Sequence, residues 1–307
     1  MNEQSIRDAY EAIAATAVSP ERIRARIGAR ARVHRQRRML LAGAGMATVA
    51  AAVGVPLTLH DRRGESEPPA LGPVPEVPLL YTPGWLPDGV TERYRSVSFD
   101  TVTGEAFGAT RRWYPEDAPY SGTVPAGSVG LVVGERMEPE TSEPVTVGTA
   151  RGIRWNSGDT AYVQWQPEAG PMIVVSAYGT ADDEGNALRM ARSVTQTAER
   201  VPITLTVTRD APTSGTAVFE VYPAGFLTYE DGVLTYPDGW QPAGYQSLSY
   251  DGLLLATSPP ETGTPFQAVE RDGIMVYLTS DSGIGAEESM RILERVRCRP
   301  PDLTWVS

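Results

Sequence analysis

Few residues in this chain have the types and spacing that covalent or acid–base chemistry requires. Ala126-Gly127-Ser128-Val129-Gly130 approximates a Gly-x-Ser-x-Gly nucleophile elbow, with alanine in the first glycine position. A serine nucleophile needs a histidine to take its proton. The chain has two histidines, His34 and His60, both far upstream. The motif therefore reads as a strand that starts beside glycine. Glu138, Glu140 and Glu143 supply carboxylates, and a pair of carboxylates suffices for glycoside hydrolysis. They lie between prolines in a loop-like stretch, and nothing selects a pair from them. Gly283-Ile284-Gly285 ahead of a helical pattern carries two of the three glycines of a phosphate loop, and the acids that follow would repel phosphate.

Cys298 is the one cysteine, so no intramolecular disulfide and no Cys/His zinc site can form. It reads as a small apolar residue near a helix end. All 27 basic residues are arginine. Without lysine there is no Schiff-base amine, no P-loop lysine and no Ser-x-x-Lys acylation site. No Asp-x-Asp-x-Asp-Gly calcium loop occurs. The sequence singles out no catalytic, cofactor-binding or metal-ligating residue and no cofactor, and the expectation is a protein that is not an enzyme.

Of the elements that would position such residues, the most conspicuous is Met39 to Leu59, an uncharged run of 21 residues. As a helix it spans about 30 Å, one hydrocarbon core. Arginines crowd its upstream flank, which predicts a cytoplasmic N-terminus and a single-pass protein whose remainder is extracytoplasmic. A second reading is open: Arg37-Arg38 ahead of a weakly apolar run has the form of a twin-arginine export signal, with a cleavage site near Ala50-Ala51-Ala52. Ser19-Pro20-Glu21 is a helix start, and no proline follows until Pro56, so residues 20–59 read as one long helix. Residues 1–38 hold nine arginines against four acids, a surplus of +5 that leaves −16 for the rest of a chain of net charge −11. So acidic a remainder argues against a nucleic-acid partner. Arg22, Arg26 and Arg30 share one helix face, which serves headgroup attraction or a cytoplasmic protein partner.

Beyond the run, residues 60–79 form a proline-rich linker. Gly84-Trp85-Leu86-Pro87-Asp88-Gly89 then recurs as Gly239-Trp240-Gln241-Pro242-Ala243-Gly244, each followed by a strand pattern, Ser96 to Asp100 and Ser247 to Asp251. Gly170 to Val175 parallels Gly273 to Leu278. Leu188-Arg189-Met190-Ala191 with Val194 parallels Met290-Arg291-Ile292-Leu293 with Val296. The second copy is shorter in the middle, or its partner strands lie upstream, where Ile203 to Val207 and Val218 to Tyr222 are candidates. Further strands are expected over Ser128 to Val133, Val145 to Val147 and Thr160 to Trp165. The expected fold class is α+β: a long N-terminal helix with one transmembrane span, then two related subdomains, 80–199 and 200–307, each an antiparallel sheet with a helix packed on it. The repeated tryptophan reads as a turn residue folded onto its own domain.

The basic head, the apolar run, the proline linker and the closing Leu-Arg-Met-Ala-x-x-Val helix after a hairpin bearing Trp155 and Trp165 carry a resemblance. The arrangement is similar to the extracytoplasmic sensor part of anti-sigma factors and sigma-factor regulatory proteins, single-pass envelope proteins of high-GC bacteria. It departs from many of them in having no zinc-binding cysteines in residues 1–38. The resemblance implies a membrane-anchored binding or sensing module, non-catalytic and regulatory, with a bilayer around it and a protein partner on the extracytoplasmic face. The alternative is an exported envelope protein, either structural or a carboxylate-dependent hydrolase.

Overall fold

The computed structural model describes residues 75–118, 124–208, 215–223, 243–250, 252–258, 260, 264, 266–280 and 284–306. All belong to one compact unit of the chain. Twelve strands form a single antiparallel sheet. In chain order they are β3 (Val90–Asp100), β4 (Ala106–Pro115), β5 (Ser128–Val133), β6 (Glu143–Val147), β7 (Ala150–Ser157), β8 (Thr160–Trp165), β9 (Ile173–Tyr178), β13 (Thr216–Pro223), β14 (Gly244–Tyr250), β15 (Leu253–Ala256), β16 (Gln267–Arg271) and β17 (Ile274–Ser280). Short strands make three further antiparallel ladders: β1 (Glu76–Pro78) with β11 (Arg200–Pro202), β2 (Tyr81–Pro83) with β10 (Val194–Gln196), and β12 (Leu205–Val207) with β18 (Val296–Cys298). The described helices are α1 (Asp183–Ser193) and α2 (Ala286–Glu294).

Sheet order is β16-β17-β15-β14-β13-β3-β4-β5-β9-β8-β7-β6. Outward from the β3–β13 junction, both halves run first strand, second, third, last, then last but one. β13 thus answers to β3, β14 to β4, β15 to β5, β17 to β9 and β16 to β8. A helix closes each half, and a short strand after it pairs with the short strand that opens the half. β3 and β13 pair antiparallel, as do β1 and β11. Both pairings are those of a two-fold axis through the junction. The β6–β7 hairpin has no counterpart among the described strands of the second half.

This architecture corrects the expected fold class. The described fold is mostly β, and one sheet runs through both halves where two separate sheets were expected. The physical reason is the junction: β3 has hydrogen-bonding edges on both sides, and β13 takes the one that β4 leaves free. The repeat is also drawn differently. The helix and last-strand parallels hold, with Val194 and Val296 both opening the strand after the helix. Ser96 to Asp100 and Ser247 to Tyr250, however, lie on non-equivalent strands, β3 and β14. The upstream segments supply the true partners, β12 and β13. The Gly-Trp hexamers accordingly precede strands of different rank.

The single-pass membrane assignment, and the localisation built on it, are likewise corrected. Among the described residues no helix is long and apolar enough to cross a membrane; α1 has 11 residues and α2 has 9. The basic head, the long helix over 20–59 and Met39 to Leu59 lie outside the described residues. Of the segment read as linker, Val77 and Leu79 are described, and both are buried beside β11.

The strands form where apolar residues alternate, because successive side chains point to opposite sheet faces. Leu131, Val175, Val97, Phe219, Leu248, Leu255 and Leu278 all point to the inner face and are buried. Each such side chain contributes about 1.5–3 kcal/mol. α1 packs over β8 and β9 and reaches β2 and β6, while α2 packs over β16 and β17. Asp182 caps α1 by accepting a hydrogen bond from the Gly185 N–H at 2.9 Å, and Asp183 and Glu184 suit the positive end of its dipole. Gly134 ends β5 at φ +85°, where a side chain would run into the Phe107 carbonyl oxygen.

Candidate functional site

Three polar clusters stand out from this apolar frame. The first begins with an irregularity in β3. Strict alternation would put Glu92 and Arg95 on opposite faces, but the register with β4 shifts between Glu92 and Tyr94 and brings both to the inner face. There Arg95 donates to both Glu92 oxygens, at 3.0 and 2.9 Å. Arg111 of β4 donates to the same two oxygens at 2.7 and 2.8 Å. Glu199, just before β11, accepts from Arg111 at 2.6 Å and from Arg95 at 3.2 Å, and Thr82 of β2 accepts from Arg111 at 2.9 Å. Trp305 lies 4.5 Å from the Arg95 guanidinium. The side chains of Glu92, Arg95 and Arg111 are each 6% exposed. Burial opposes the Arg111 charge, yet the hydrogen bonds and charges of Glu92 and Glu199 outweigh it and hold the guanidinium above its usual value. Both carboxylates here accept from both guanidiniums, two charges against two, so the cluster is a structural node.

The second cluster covers the outer sheet face. Register places Trp155, Tyr162, Ser176, Gly130, Arg112 and Tyr94 in one cross-strand row, and Tyr222 with Tyr245 continues it in the second half. Tyr94 donates to Glu220 at 2.5 Å, Ser247 donates to the other Glu220 oxygen at 3.0 Å, and Arg112 lies over the Tyr94 ring. Burial, and then the Glu220 charge, hold the Tyr94 phenol well above its ordinary range; burial raises Tyr114 and Tyr162 too. A phenol held protonated in this way is a hydrogen-bond donor and not a base.

The third cluster is open to solvent. A cleft of about 340 Å³ lies at the β6 end of the sheet, beneath the start of α1. Arg154 of β7 donates to Glu143 of β6 at 3.0 and 2.6 Å and to Glu184 of α1 at 3.4 Å; Asn156 donates to Glu184 at 2.7 Å. Thr141 and Ser142 add hydroxyls to the lining, and Ala161, Val163 and Ala187 form its apolar floor. Glu143, by hydrogen bond and charge, holds the Arg154 guanidinium above its usual value. Side-chain exposures of 41%, 68% and 52% for Arg154, Glu143 and Glu184 leave all three available to a ligand.

The residues weighed in the sequence fall as follows. Ser128 opens β5 after Gly127 and donates to the Pro125 carbonyl, so its elbow-like motif is a strand start. Of the three acids, Glu143 belongs to β6 and to the cleft. Cys298 is buried in β18, and burial pushes its thiol up to about 12. Gly285 caps α2. Trp85 folds onto α1, its ring 4.2 Å from the Arg189 guanidinium, and its backbone N–H donates to Ser193 Oγ. Sequence reasoning did not find Arg154, Asn156 or Glu184. The only local signal was the alternation of β7, in which residues 154 and 156 share a face. Among the described residues no group of acids, histidines or cysteines could hold a metal ion.

No protein-family model matches the chain, and no curated protein matches it. One solved structure to which it is similar is the crystal structure of MucB in complex with MucA(peri), at 10% identity, covering 68% of this chain and 94% of that one. The TM-score is 0.12, too low for the likeness to carry any argument.

Proposed function

We propose that the protein is a non-catalytic binding module whose ligand sits in the cleft between β6, β7 and α1. The observation that supports this is the convergence of Glu143, Arg154, Asn156 and Glu184, each already oriented by a partner and each still reachable from solvent. Preoriented polar groups over a small apolar floor are what fixes a polar ligand in place. Two carboxylates against one guanidinium favour a ligand with a cationic group and several hydrogen-bonding atoms. A carboxylate-dependent hydrolase is less well supported. Its two acids must flank a scissile bond in a site shielded from water, whereas Glu143 and Glu184 are both paired to Arg154 and more than half exposed.

The test is titration of the full chain with short basic peptides, amino sugars and polyamines, followed by isothermal titration calorimetry. At least one of these is expected to bind and to be recovered chemically unchanged. The double variant Glu143→Gln, Glu184→Gln should bind it at least about tenfold more weakly, the scale of lost charge-assisted hydrogen bonds. No binding from any of the three classes, equal binding by the double variant, or conversion of the ligand would each overturn the reading.

A further inference from the structure

The two-fold relation sets β16 against β8. In the first half β8 pairs with β9 on one side and β7 on the other. In the second half β16 pairs with β17, and among the described residues no strand takes its other edge. Side chains nearby differ in the same sense. Met190 of α1 is fully buried, while Ile292, its counterpart in α2, is half-buried. Leu188 is half-buried and its counterpart Met290 is 37% exposed; Phe266, the residue just before β16, is 40% exposed. An open edge flanked by exposed apolar side chains is a template for another strand.

We propose that this edge pairs with the β16 edge of a second copy of the chain, antiparallel and centred on Val269. Charge selects the register. Centred there, all five residues of β16 pair: Val269 with its own copy, Ala268 with Glu270, and Gln267 with Arg271. No like charges face each other. A register centred on Glu270 would set two glutamates opposite, which is repulsive. An isologous pair of this kind closes on itself, so it yields a dimer and no fibre. The two sheets join as β3 and β13 already join within one chain.

Sedimentation of the full chain tests the proposal. A reversible dimer is expected in the micromolar range. Ala268→Glu places a glutamate opposite Glu270 at two points and should weaken the dimer about tenfold, whereas Ala268→Arg places opposite charges there and should not. Because residue 268 lies on the outer face, neither change touches the core. Val269→Cys brings two thiols onto the axis, with Cα atoms about 4.5–5.5 Å apart, within disulfide range. That variant should crosslink under mild oxidation, and Glu270→Cys, which is out of register with itself, should not. A monomer throughout, equal effects of the two residue-268 variants, or equal crosslinking of the two cysteine variants would overturn the self-pairing.

Discussion

On the inner side of β4, the second strand of the first half, stands Arg111; on the inner side of β14, the second strand of the second half, stands Gln246. Each ties the sheet to the short strands beneath it through a threonine, Thr82 in one case and Thr204 in the other. The first tie is ionic, with Glu92, Arg95 and Glu199 closing a network of four charges. The second is neutral: Gln246 accepts from Thr204, donates to the Arg299 carbonyl at 2.6 Å, and contacts Cys298 Sγ at 3.4 Å, all with no exposure of its own. One architecture therefore tolerates two chemistries at the same rank of strand. What it does not tolerate is an unsatisfied polar group, because desolvation falls on whichever partner is left behind.

That contrast can be broken most directly at Arg111. Arg111→Met leaves Glu92 buried with one guanidinium fewer, and denaturant unfolding should show a loss of about 3–5 kcal/mol. A loss below about 1 kcal/mol would mean that the ionic node is no costlier to break than a surface pair. Next comes Cys298, on the neutral side. Its thiol lies about three pH units above the usual value of 9.0, so alkylation at pH 8 should be slowed on the order of a thousandfold in the folded protein and restored on unfolding. The native state keeps a proton that the unfolded state loses above pH 9. Stability should therefore fall from pH 9 toward pH 12, and Cys298→Ala should make that fall shallower, most visibly between pH 9 and pH 10, before the buried tyrosines add to it. Gln246→Leu removes the amide but leaves no buried charge, and a smaller loss of about 1–3 kcal/mol is expected. If it equalled the Arg111 loss, charge would not distinguish the two halves. The smallest effect belongs to Arg154→Ala, which should leave the melting temperature unchanged because the whole cluster faces water.

Local pattern made part of this legible. Ser128 to Val133 and Thr160 to Trp165 are strands over the stretches expected, and Val194 and Val296 mark the ends of two equivalent helices. The fold class was not legible in the same way. Helix signals at 182–194 and 287–296 are strong but cover two short elements, whereas the β3–β13 junction joins residues over a hundred positions apart and leaves no local trace. The Gly-Trp hexamer misled because turn residues recur wherever a turn is needed, whatever strand follows. The cleft was hidden for a related reason. Glu143 and Arg154 meet through hairpin register, and Glu184 joins them only once α1 has packed. Glu92 and Arg95 were hidden by the shift in β3, since a period-two reading assigns them to opposite faces.

The β3–β13 junction also bears on how fast the chain reaches this state. Hairpins such as β7–β8 close loops of a few residues, which costs little entropy and takes microseconds. The junction and the β1–β11 ladder must bring together segments separated by most of one half of the fold, and contacts of that range are the slow ones in antiparallel proteins. Each half should thus acquire its hairpins first and meet the other late. Pulsed hydrogen exchange would show this as protection of β7 and β8 amides ahead of those shared by β3 and β13, and simultaneous protection would mean that the junction forms as part of the nucleus.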